Sequence, residues 1–234
     1  MKTVKFLVLT MAISILMATT GLAATIEIYN TGVDSGGTAL SGEVIDPHYT
    51  ISGFAVNPTG PFTAPANAFT LNSTSSFPFP HWIADSAVSR WIAPDGGNNV
   101  DDTTVPDGYY KYTTTFDLTG FDSTTAFISG MWSTDNEGWD ILLNGNSTGT
   151  SNKILDPTSF QSWHPFLVSG GFISGVNTLD FVVKNDIQAT GNPSGLRVEI
   201  TSATAAPVPE PGTMLLLGSG LVGLAGWGRK KLRK

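Results

Sequence analysis

The stretch WSTDNEGWDILLNG, residues 132–145, sets Trp132 and Trp139 around Asp135 and Asn136. Aromatic faces beside amide and carboxylate groups are what a carbohydrate site uses, because a sugar ring has an apolar face and a fringe of hydroxyls. On that chemistry the two tryptophans stack on sugar rings while Asp135, Asn136 and Glu137 bond hydroxyls. The same residues also fit a hairpin. Asp135-Asn136 then forms the turn, Trp132 packs in the core, and Asn144-Gly145 turns the next corner. Trp132 falls on the inward-looking face, which favours packing.

A second aromatic group lies in FPFPHWIADSAVSRW, residues 77–91, with Phe77, Phe79, His81, Trp82 and Trp91. These side chains could edge a binding cleft, but large aromatics more often serve packing, and a plug at one end of the fold is the expected role. A third group is the loop PDGGNNVDD, residues 94–102, where Asp95, Asp101 and Asp102 stand among glycines and asparagines. Oxygen-rich loops suit a structural calcium, yet the spacing is not that of an EF-hand, so a solvated loop and no cofactor are expected.

Catalytic signatures are sparse. The three histidines, His48, His81 and His164, show no metal-ligand spacing, and no G-x-S-x-G elbow occurs. The absence of cysteine removes thiol nucleophiles and Cys-based metal sites. Paired carboxylates could act as glycosidase acids only about 5–10 Å apart, which sequence spacing does not define. The expectation is a protein that is not an enzyme.

The elements that must position these groups read as strands. In residues 109–118, Tyr110, Tyr112, Phe116 and Leu118 share one face. Ala126, Ile128, Gly130 and Trp132 share another, as do Leu179, Phe181 and Val183, and Leu196, Val198 and Ile200. This period of two marks half-buried strands. Residues 25–29 and 49–56 read as two further strands, and 57–80 as a long excursion with one short strand. Many short strands separated by turns imply a β-sandwich or barrel.

The chain ends differ from this body. Residues 1–24 carry Lys2 and Lys5, then an apolar core over 6–17, then small residues approaching a cut after Ala23 or Ala24. That order is a secretory signal peptide. Residues 201–211 read as a proline-rich linker. Residues 212–234 hold a glycine-containing apolar run bounded by Thr213 and Trp227, then Arg229, Lys230, Lys231, Arg233 and Lys234. Its 15 uncharged residues reach about 22 Å, short of the ~30 Å hydrocarbon core, so a short and transient transmembrane helix is expected, with its cations on the cytoplasmic side. Between the ends, 18 acidic side chains face 5 basic ones, a formal charge of −13. Such a field repels phosphate backbones and excludes nucleic acid as a natural partner.

Pro209, Glu210 and Pro211, followed by the apolar run and the basic cluster, resemble the PEP-CTERM sorting signal of Gram-negative bacteria. That resemblance implies recognition by exosortase, a membrane-embedded processing enzyme. It also implies export across the inner membrane, with mooring at the membrane and then residence at the cell surface or in an exopolysaccharide or biofilm matrix. Residues 109–200, with WIAP at 91–94 and DPHY at 46–49, are similar to galactose-binding-domain-like jelly rolls. This implies an all-β jelly-roll β-sandwich of eight or nine strands over 25–200, flanked by the signal helix and the short C-terminal transmembrane helix. The functional expectation is a non-catalytic surface protein that binds glycan or extracellular polysaccharide. The alternatives are a purely structural or adhesive protein and a polysaccharide-active enzyme.

Overall fold

The computed structural model describes residues 23–72, 78–94, 106–151, 158–186, 193–208 and 211–231. Residues 1–22 of the expected signal peptide, Phe77, Asp95, Asp101, Asp102, Pro209, Glu210, Arg233 and Lys234 lie outside the described residues. Ala24–Ala205 forms one compact unit.

Eleven strands are described, in chain order β1 Ala24–Thr25, β2 Ile45–Ala55, β3 Pro65–Thr70, β4 Ile92–Ala93, β5 Gly108–Asp117, β6 Phe121–Asp135, β7 Glu137–Leu143, β8 Asn146–Ser147, β9 His164–Val168, β10 Val176–Asn185 and β11 Gly195–Pro207. A 3-10 turn, Ser159–Gln161, precedes β9. The strands make one sheet in the order β8-β7-β10-β5-β2-β3-β4-β11-β6-β9, with β1 added on β11. Pairing is antiparallel, as in β5–β10, β7–β10 and β6–β9.

The sheet curls on itself, and the side chains require it. Phe166 of β9, at one end of the order, meets Phe181 of β10 near the other end, with ring centroids 5.7 Å apart. Trp132 of β6 meets the same Phe181 at 5.8 Å. A flat sheet with strands about 4.8 Å apart could not close these distances. The expected alternating faces form this core: Tyr112, Leu118, Ile128, Trp132, Leu179, Phe181, Leu196 and Val198 are sealed from solvent. Close approach also explains Gly130, where a Cβ would sit 2.5 Å from the Glu199 carbonyl oxygen and 2.7 Å from the Phe166 ring. The Asn144-Gly145 turn closes the β7–β8 hairpin with φ of 52° and 78°, a left-handed pair that these two residues tolerate.

Several expectations are corrected. Eleven strands are described where eight or nine were expected, three of them of only two residues, and they form one curled antiparallel sheet. The strand expected at 25–29 is reduced to Ala24–Thr25, after which Ile26 enters the core and its N–H bonds the Ala203 carbonyl at 2.9 Å. The linker expected from residue 201 is still strand as far as Pro207, because Ala203 and Ala205 turn inward and Thr204 and Ala205 pair with β1. The C-terminal run does form a helix, α1, Pro211–Lys231. Among the described residues, however, no helix is long and apolar enough to cross a membrane. Six glycines across the helix dilute its apolar character, and Arg229, Lys230 and Lys231 fall within its last turn. Thr213 and Trp227 lie within α1.

Candidate functional site

The segment between β3 and β4 forms a small second core from Leu71, Phe79, Trp82, Trp91 and Ala93. Trp82 packs on Trp91 at 4.2 Å and receives the edge of Phe79 at 6.1 Å. Phe79, Trp82 and Trp91 therefore serve packing, as expected. This second core also has an outer side, where residues 79–85 and Gln161 line a cavity of about 630 Å³. Phe79 and Trp82 are buried, while Pro80, His81, Ala84 and Gln161 are exposed at the rim.

Each strand end near this cavity holds part of it in place. The Pro78 carbonyl accepts the N–H groups of His81 and Trp82 at 2.9 and 3.3 Å, which bends the chain. The Ile83 N–H bonds the Phe160 carbonyl at 2.8 Å and ties the segment to the 3-10 turn. The Trp91 indole donates to the Ile83 carbonyl at 2.9 Å, and the Trp91 backbone N–H donates to the Asp85 carboxylate at 3.1 Å. Below the loop, Arg197 of β11 is only 2% exposed. It donates to the Ser89 hydroxyl at 2.8 Å, to the Ala84 carbonyl, and to Glu199 at 3.2 Å. Burial pulls its pKa down, while Asp85 and Glu199 oppose that shift.

Asp135 sits behind the cavity at the end of β6. Its Oδ2 accepts the Trp82 indole N–H at 2.9 Å, and its Oδ1 has no hydrogen-bond partner. Burial pushes its carboxyl up to about 8; the Trp82 N–H counters that and the nearby Asp186 adds to it. The group is therefore mainly protonated at neutral pH.

The four sugar-stacking and hydroxyl-binding residues expected from sequence do not share an open face. Trp132 is fully buried, Asp135 is 2% exposed and Asn136 is 6% exposed. Asn136 is held by its N–H to the Lys184 carbonyl at 3.1 Å, and its Oδ1 accepts the Asp186 N–H at 2.7 Å. Trp139 alone is half-buried, edge-on to Tyr109 at 5.0 Å. His48 stacks flat on Tyr29 at 3.7 Å, beside Asp46, whose carboxylate accepts the N–H groups of Gly32, His48 and Tyr49. DPHY therefore lies within β2 and ties the start of that strand to the turn at Gly32. Sequence reasoning missed Arg197, Asp85 and Gln161. One signal was available: Arg197 is one of five basic residues in the body and stands between the core residues Leu196 and Val198.

Residues 207–230 match the PEP-CTERM protein-sorting motif. The chain thus carries a C-terminal sorting signal of exported proteins, which implies processing by exosortase. Pro211 begins α1, and Trp227 and Arg229 are exposed on it. No curated protein matches the chain. Among solved structures, the β-glucosidase from Kluyveromyces marxianus in complex with glucose is similar at 11% identity and a TM-score of 0.34, over 88% of this chain. The chain spans only 25% of that enzyme's length. A likeness of that size assigns neither ligand nor activity.

Proposed function

We propose that the body is a non-catalytic glycan-binding module of an exported bacterial surface or matrix protein, with extracellular polysaccharide as its partner. One observation carries this reading: an aromatic-walled cavity of about 630 Å³ with His81, Asp85 and Gln161 among its lining. Pro80 and Ile83, with the accessible edges of Phe79 and Trp82, offer an apolar wall to a sugar, and the polar groups offer donors and acceptors to hydroxyls. The body's acidic excess favours a neutral polysaccharide over an anionic one. Membrane association is transient and belongs to the sorting segment. A purely structural or adhesive role is the second reading, favoured by the burial of Trp132, Asp135 and Asn136.

The test is a polysaccharide pull-down with the exported protein and with His81→Ala and Gln161→Ala, both rim substitutions. Binding of a neutral extracellular polysaccharide, weakened by either change while the melting temperature holds, supports the cavity. Absence of binding to every extracellular polysaccharide tried, including that of the producing strain, overturns it in favour of the structural role.

A further inference from the structure

Trp82 is 3% exposed and yet forms part of the cavity wall. Its ring is clamped by packing. Trp91 lies against it, Phe79 meets its edge, and a Cβ on Gly195 would come within 2.6 Å of its six-membered ring. Its indole N–H has one tether, the Asp135 carboxyl. Asp135 is held by its backbone, since its carbonyl accepts the Ser194 hydroxyl at 3.2 Å.

We infer that Asp135 is a positioning residue for the cavity, holding the Trp82 wall in place while protonated and loosening it when ionised. The inference rests on the cavity being the working site, but its test needs no ligand. A buried carboxylate requires a cation or several donors. Asp135 has one donor, Trp82, and its second oxygen has none. The charged or titratable groups facing it are Asp186, beyond the end of β10, and Tyr112 of β5. Asp186 is a like charge and Tyr112 is a neutral phenol. The nearby cation, Lys184, is engaged by Asp186 at 2.5 Å and Glu137 at 3.2 Å. Ionisation therefore places an unbalanced charge behind Trp82, and the local remedy is to admit water past the indole. The carboxyl's value of about 8 places this change just above neutrality.

The experiment is acrylamide quenching of tryptophan fluorescence, with near-ultraviolet circular dichroism, on the full chain from pH 6 to 10. Asp135→Asn keeps an acceptor for the indole and cannot ionise. Trp82→Phe removes the reporter, and His81→Gln removes the histidine of the same wall. The expected result is greater quenching in the parent protein with a midpoint near pH 8, lost in Asp135→Asn and Trp82→Phe and kept in His81→Gln. The inference is overturned by a flat parent profile, by a transition that survives in Asp135→Asn, or by one that vanishes in His81→Gln. A failure to bind polysaccharide leaves these outcomes unchanged, so the two readings fail separately.

Discussion

The guanidinium of Arg197 lies 4.8 Å from the ring centre of Trp163, while its other side reaches Ser89 and Glu199. Glu199 in turn accepts the hydroxyls of Ser86 and Ser89 at 3.1 and 2.6 Å. One buried cation thereby joins β11, the loop before β4 and the segment before β9.

Arg197→Met should destabilise the body by about 3–5 kcal/mol, because Glu199, Ser89 and the Ala84 carbonyl lose their donor in a buried setting. Arg197→Lys should recover only part of that, since an ammonium cannot span three acceptors as a planar fork does. Urea denaturation of both variants measures the difference.

Gly195→Ala should cost about 1–3 kcal/mol, since the added methyl meets the Trp82 ring at 2.6 Å and the Trp91 ring at 3.2 Å. The displaced indole should also change the near-ultraviolet dichroism. An unaltered spectrum with unaltered stability would mean that the second core is loosely packed.

Stability should fall with rising pH. The Asp135 carboxyl is raised from its ordinary 3.8 to about 8, so the folded state holds its proton more tightly than the unfolded chain. That contribution is fully present below about pH 4 and is lost as pH rises through about 8, at up to ~1.4 kcal/mol per pH unit. Asp46, also raised by burial, acts in the same direction. Asp117 and Asp122 are lowered by their bonds to Thr119 and Thr124 and act oppositely, but both are solvent-screened. Urea midpoints at pH 6 and pH 9 should differ in the parent protein and differ less in Asp135→Asn.

Truncation after Val208 should leave the melting temperature of the body unchanged, because Ala24–Ala205 is compact in itself. Cell fractionation of the truncated form should show loss of sorting, the motif being carried by residues 207–230. Intact-mass measurement of the parent protein from the cell surface should show the basic C-terminus removed.

The sequence by itself determined the strand faces and both turn residues of the β7–β8 hairpin, because a period of two and an Asn-Gly pair act locally. It also determined the sorting signal, whose parts lie side by side in the chain. Only the tertiary structure decided how the strands join. Alternation says which way Phe166 and Phe181 point, but not that a sheet of eleven strands curls until they touch. The same holds for the site. Trp82 and Asp135 are 53 positions apart, and nothing in either local sequence announces their bond. Curling turned Trp132, Asp135 and Asn136 inward and left the aromatic plug, which sequence weighed as mere packing, at the wall of the cavity. Local spacing fixes what a side chain can do, and long-range closure of the sheet fixes whether solvent or a ligand can reach it.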